Sequence, residues 1–272
     1  MSIQKIPLAS IQKIRTYLTS LLVLPESENC RRSLSFNESD DLPEPESLDE
    51  LGGLFDLGPA EEDEEAIATS PSGPWLISAV NPATALRKLP GLRLKLGLRW
   101  VSYIYRDPNE PNSGTGITWA VPEDYCATAT LEEALADGCD PEHPPRPQGA
   151  LDNFMAAIEG DRSAPSFMVA TLLRREIQEF VRAKANRDWS YHRLIDSPPK
   201  QVKWQWKGQI KDLSPKIRKL DDGKIAVEFF TCRTSAPIAI FRHVEQYPSS
   251  SYQSKAIDQP VAIPIRTKSI KN

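Results

Sequence analysis

The stretch Leu92-Arg93-Leu94-Lys95-Leu96-Gly97-Leu98-Arg99-Trp100 alternates apolar and polar side chains one for one. A period of two places every second residue on one face, the pattern of a strand buried on one side only. The alternation carries on through Val101 to Arg106, with Gly97 marking a bulge or bend. Asp107-Pro108-Asn109-Glu110-Pro111-Asn112-Ser113-Gly114 is dense in turn formers. Thr115 to Val121 then returns as a second strand, read as antiparallel to the first.

Helical spacing follows. Thr130-Leu131-Glu132-Glu133 reads as a capping box and Gly138 as a left-handed stop, which predicts a helix over 131–137. A second helix over 150–159 puts Leu151, Phe154 and Ile158 on one face. The third, from Pro165 to about Lys184, repeats Val169, Leu173, Ile177 and Phe180 at helical spacing and is long enough to be the central packing element. Strand-like stretches recur at 201–211, 224–233 and 237–246. The sum is an α+β fold: one domain at 73–247, an antiparallel sheet packed on two or three helices, with 248–272 a loose tail or late edge strand.

Upstream the composition changes. Residues 1–24 carry three basic residues and no acid, and Ile11, Ile14, Leu18 and Leu21 fall on one helical stripe. An isolated helix of that length is marginal in water, so the stripe needs a cover: the protein's own core, a partner, or a membrane surface. The segment also has the charge and hydroxyl content of a targeting peptide. Residues 25–72 hold 15 Asp/Glu against 2 Lys/Arg, a disordered acidic linker by composition. Within it Leu51, Leu54 and Phe55 form a hydrophobic island of the kind that folds onto a partner.

The whole-chain charge of −4 therefore conceals a basic remainder. Lys200, Lys203, Lys207, Lys211, Lys216, Arg218 and Lys219 fall close together around Trp204 and Trp206. A second set, Arg93, Lys95 and Arg99, shares the odd-numbered face of the first strand with Tyr103 and Tyr105. Cations interleaved with rings on a sheet are how single-stranded nucleic acid is commonly held.

Candidates for catalysis are sparse. A two-residue turn at Ser235-Ala236 would place Glu228 opposite His243, Phe230 opposite Phe241 and Cys232 opposite Ala239. A Glu228–His243 contact could orient a general base, whereas one more residue in the turn abolishes it. Cys126, Cys139 and His143 approach a metal-ligand set without matching a zinc cassette. There is no glycine-rich nucleotide loop, no H-E-x-x-H, no G-x-S-x-G and no C-x-x-C, and no cofactor is expected. No apolar run nears the roughly 20 residues of a membrane span, and the cysteine usage fits a cytoplasmic protein.

The first functional reading is thus an adaptor that recruits a protein partner through its N-terminal helix and acidic linker. Nucleic-acid binding through the basic-aromatic faces comes second, and an enzyme built on Glu228 and His243 third.

Overall fold

In a computed structural model of the chain, residues 3–25, 28, 73–107, 109–110, 113–138 and 140–265 are described. The chain opens with β1 (Ile3–Lys5) and α1 (Leu8–Leu21). After the acidic stretch come β2 (Trp75–Ile77), β3 (Leu92–Leu94), β4 (Leu98–Arg106) and β5 (Gly114–Pro122). Then follow α2 (Thr128–Glu133), β6 (Ile158–Gly160) and α3 (Ala164–Phe180). The rest is strand: β7 (His192–Ile195), β8 (Trp204–Trp206), β9 (Lys216–Lys219), β10 (Ile225–Arg233), β11 (Ala239–Tyr247) and β12 (Lys255–Pro264).

The architecture is α+β. A seven-stranded antiparallel sheet runs β1-β9-β10-β11-β12-β8, with β7 paired to β10 beside β9; β2-β4-β5 and β3-β6 form two smaller sheets. The predicted long strand from Leu92 breaks at Lys95-Leu96-Gly97. Gly97 takes φ +75°, a left-handed turn that only glycine adopts cheaply, so β3 and β4 go to different sheets.

The third predicted helix is α3. Ser163 caps it, its hydroxyl oxygen accepting from the Ser166 N–H at 3.3 Å, and Pro165 sits in the first turn where no N–H is needed. Val169, Leu173, Ile177 and Phe180 are buried in the main core with Val227 and Phe229 of β10 and Tyr247 of β11. The N-terminal helix covers its stripe with the same core: Ile11 and Leu18 are both 0% exposed, and Ile14 packs against the cluster half-buried. Burying two such side chains contributes about 3–6 kcal/mol, enough to order a helix that would be marginal alone.

Several local expectations give way to tertiary contacts. α2 starts at Thr128 with no side-chain cap, and a 3-10 turn continues it to Asp137. Gly138 has φ −86°, so it is not a left-handed stop. The helix expected over 150–159 is a 3-10 turn at Phe154–Ala157, capped by Asn153, followed by β6, which is drawn off to pair with β3. β12 is no loose tail: it lies between β11 and β8, inside the sheet.

The decisive departure is the β10–β11 register. Ser235-Ala236 lacks the residues that tolerate the positive φ of a tight hairpin turn, and the strands are joined by the five residues 234–238 instead. The odd-length loop slips the pairing by one. Phe229 faces His243, Thr231 faces Phe241, Cys232 faces Ile240 and Glu228 faces Val244. His243 therefore moves to the side of the sheet that α3 covers, and Glu228 stays on the other side.

Candidate functional site

The outer side of the large sheet, away from α3, is built by the even-numbered residues of β10 and β11. Reading across the register, Lys5, Lys216, Glu228, Val244 and Ile257 form one row, and Arg218, Ala226, Gln246 and Lys255 the next. Arg242 belongs to the same side. Glu228 is buried and is the common partner of three cations: Arg242 Nε at 3.1 Å, Lys216 Nζ at 3.7 Å, and the Arg218 guanidinium. One carboxylate cannot offset three cations, and Lys5 and Lys255 add two more, both exposed. Asp212 faces two of the five, Lys5 Nζ at 3.0 Å and Lys216 Nζ at 3.9 Å, which still leaves the cations in excess. Burial, opposed by Asp212 and aided by Arg218 and Arg242, lowers the pKa of Lys216. Arg218 Nε has no hydrogen-bond partner among the described residues.

The far end of this side is partly closed. Phe230, Ile240, Leu213 and Ala262 form a satellite cluster against which Trp204 and Trp206 pack half-buried, and the Trp204 indole N–H donates to the Pro199 carbonyl at 3.1 Å. Lys203 and Lys207 are exposed on either side of β8. The two tryptophans thus share the sheet's outer side with the cation cluster. They are neither wholly core nor free platforms.

The other half of the expected basic-aromatic face is dispersed. Tyr103 is 0% exposed, its hydroxyl donating to the Leu131 carbonyl at 2.9 Å, and Tyr105 packs on Trp75. Arg93 pairs with Glu159 at 2.7 Å, Arg99 with Glu123 at 3.1 Å, and Lys95 Nζ donates to the Ala156 carbonyl at 2.6 Å. These residues lie on the small sheets and on the turn between β3 and β4, so they do not extend the face that holds Trp204.

The inner side is different in kind. Here α3 lays Arg174 and Arg175 over the odd-numbered residues of β10 and β11, while its Glu176 accepts from Arg15 and Trp189. Glu245, 0% exposed, accepts from Arg174 Nη2 at 2.5 Å, Arg175 Nε at 2.8 Å, Tyr247 at 3.0 Å and Ser254 at 2.7 Å. Burial alone would raise its pKa, but the two guanidiniums hold it below the ordinary value. Arg175 also grips Asp258 through both Nη atoms, at 3.0 and 2.7 Å.

From Asp258 a chain of hydrogen bonds runs inward. Asp258 Oδ1 meets His243 Nδ1 at 2.8 Å, His243 Nε2 meets Thr231 Oγ1 at 2.7 Å, and Thr231 Oγ1 meets His192 Nδ1 at 2.7 Å. Both imidazoles are buried. Burial, reinforced by the neighbouring His243, lowers the pKa of His192 to about 4, and burial likewise lowers that of His243. Both rings are therefore neutral at pH 7. Trp189 stacks on His192, with Arg15 and Arg175 against the indole at 4.5 and 5.0 Å. The chain ends at a pocket of about 280 Å³ between the C-terminal half of α3 and β11–β12.

The remaining sequence candidates resolve as follows. Glu228 and His243 lie on opposite sides of the sheet, so no cross-strand pair exists; the slipped register separated them. Ile11 and Leu18 are spent on the protein's own core and offer no free docking stripe, while Leu21 is exposed near the end of α1. Leu51, Leu54, Phe55 and Cys139 lie outside the described residues. His143 bonds Asp140 at 3.0 Å, and the half-buried Cys126 thiol points at the Pro122 carbonyl at 3.3 Å, its pKa raised by burial. No grouping of three metal-ligating side chains occurs among the described residues.

Sequence reasoning missed Thr231 and Asp258. Asp258 sat in a segment read as tail, and Thr231 carried no motif. The one available signal was the turn length, which alone decides whether His243 faces solvent or α3. No described helix is long and apolar enough to cross a membrane. No protein-family model, curated protein or solved structure matches the chain.

Proposed function

We propose that the protein is a non-enzymatic binding protein that holds single-stranded nucleic acid on the outer side of its large sheet. The observation that carries this reading is the gathering of Lys5, Lys216, Arg218, Arg242 and Lys255 on that side against two carboxylates, Glu228 and Asp212. Excess cations on a solvent-facing sheet gain free energy from a polyanion by releasing its counterions. The cluster spans β1 to β12, about 19 Å at the usual strand spacing, room for several phosphates of an extended strand. Trp204 and Trp206 at the far end supply half-buried ring surface, and Val244 and Ile257 apolar contact for bases.

The adaptor reading stands behind this one, because the helix meant to capture a partner has its stripe buried in the core. Its other element, the acidic stretch, lies outside the described residues.

Fluorescence anisotropy with a labelled oligothymidylate over a range of salt tests the proposal. If three to five cations engage phosphates, log affinity falls against log salt with a slope of about −2 to −3.5. A salt-independent affinity, or none at low salt, contradicts it.

A further inference from the structure

The hydrogen-bond chain on the inner side fixes the protons in it. Hydrogen bonds from His243 and Arg175 keep Asp258 ionised despite the opposing effect of desolvation, so its carboxylate only accepts. His243 must then carry its proton on Nδ1 and present a lone pair at Nε2. A neutral imidazole has one N–H, so the Thr231 hydroxyl donates its single proton to His243 Nε2. The Thr231 oxygen is left to accept, and the donor is His192 Nδ1–H. His192 consequently ends the chain with a bare lone pair at Nε2.

That lone pair lines the pocket. His192 is 4% exposed, and its Nε2 has no hydrogen-bond donor among the described residues; Asp188 Oδ2 lies 3.7 Å from it. These two acceptors, His192 Nε2 and Asp188 Oδ2, accordingly face each other with no proton between them. Glu179 also lines the pocket. It is buried, and of its two oxygens only Oε1 is used, accepting from the Ser190 N–H at 2.9 Å. Asp188 holds Arg233 through Oδ1 at 3.0 Å, which leaves Oδ2 for a further donor.

The charge of the lining favours a cation. Carboxylates of Glu179, Asp188 and Asp258 face it from α3, the following loop and β12, against the guanidiniums of Arg175 and Arg182. Arg175 is spent on Glu245 and Asp258, and Arg182 is exposed. An anion would meet lone pairs and carboxylates. A primary ammonium brings three N–H donors to three unfilled acceptors, and the Trp189 and Phe241 rings give its alkyl carbon an apolar wall.

We propose that the pocket bounded by His192, Glu179 and Asp188 binds a small primary amine in its ammonium form, with His192 Nε2 accepting one of the ammonium hydrogens. Thr231, His243 and Asp258 are positioning residues, holding His192 in the tautomer that leaves Nε2 free. The pocket volume limits the ligand to a handful of heavy atoms.

Titration of full-length, ¹⁵N-histidine-labelled protein at pH 7.5 with butylammonium chloride tests this, with potassium butyrate as the opposite-charge probe. In the free protein His192 Nε2 should resonate as an unprotonated nitrogen and Nδ1 as protonated. Butylammonium should move Nε2 saturably, and butyrate should not. Glu179→Gln and Asp188→Asn should each weaken binding about tenfold or more, the loss of one charge-assisted contact. Asp188 is exposed, so its variant keeps the fold if the Glu179 variant does not. A protonated Nε2 in the free protein, no response to butylammonium, or an equal response to butyrate overturns the proposal.

Discussion

The two sides of the seven-stranded sheet solve the same problem in opposite ways. On the inner side, charges are matched and mostly buried: Glu245 takes two arginines, the more exposed Asp258 takes Arg175 and His243, and the histidines are neutral. On the outer side five cations face two carboxylates, Glu228 and Asp212, and a surplus of positive charge is left exposed. The difference teaches where free energy is held. Buried, matched groups are costly to break and fix tautomers. An exposed surplus of one sign contributes little to the fold and is available to a partner.

Glu245→Ala breaks the inner side hardest. It leaves Arg174 and Arg175 facing a void in the core, and removing one partner of a buried pair costs about 3–5 kcal/mol, read by urea unfolding. A loss below ~1 kcal/mol would mean that the inner network is wet and loosely held. Ile11→Ala should cost about 2–5 kcal/mol, since α1 packs into the same core. An unchanged midpoint would return α1 to the role of a partner-seeking helix.

Acid sharpens the comparison further. His192 binds a proton more weakly in the fold (pKa about 4) than in the unfolded chain (ordinary value 6.5). The unfolded state therefore gains protons first as pH falls below about 6.5, and stability declines from there down to about 4, by up to a few kcal/mol. His243 acts in the same direction. His192→Phe should flatten that acid slope; an unchanged slope would assign it elsewhere. The smallest stability effect belongs to the outer side: Lys5→Ala with Lys255→Ala should move the unfolding midpoint negligibly. The same pair should make the salt dependence of oligothymidylate binding shallower by about 1.4.

Periodicity made much of the fold legible. The alternation at Leu92–Arg106, the capped stripe of α3 and the strands over 225–233 and 239–247 stand close to where local pattern put them. What escaped was decided by distant partners. β6 forms because β3 pairs with it, and β12 is held between two strands although its own sequence reads as a tail. The site was less legible for a simple reason. A strand's two faces are told apart only by register, and the register hung on whether Ser235-Ala236 could make a two-residue turn. One residue more exchanged a solvent-facing Glu228–His243 pair for a buried Thr231–His243–Asp258 chain.

The most direct measurement compares the two sides in one spectrum. Isoleucine methyl groups report on both: Ile3 and Ile257 are exposed on the outer side, whereas Ile217 of β9 and Ile177 of α3 lie in the main core. On addition of an oligothymidylate at low salt, the methyl signals of Ile3 and Ile257 should shift, those of Ile217 and Ile177 should stay, and added salt should reverse the change. Shifts confined to the core methyls, or none at saturating oligonucleotide, would contradict the assignment of the outer side as the binding face.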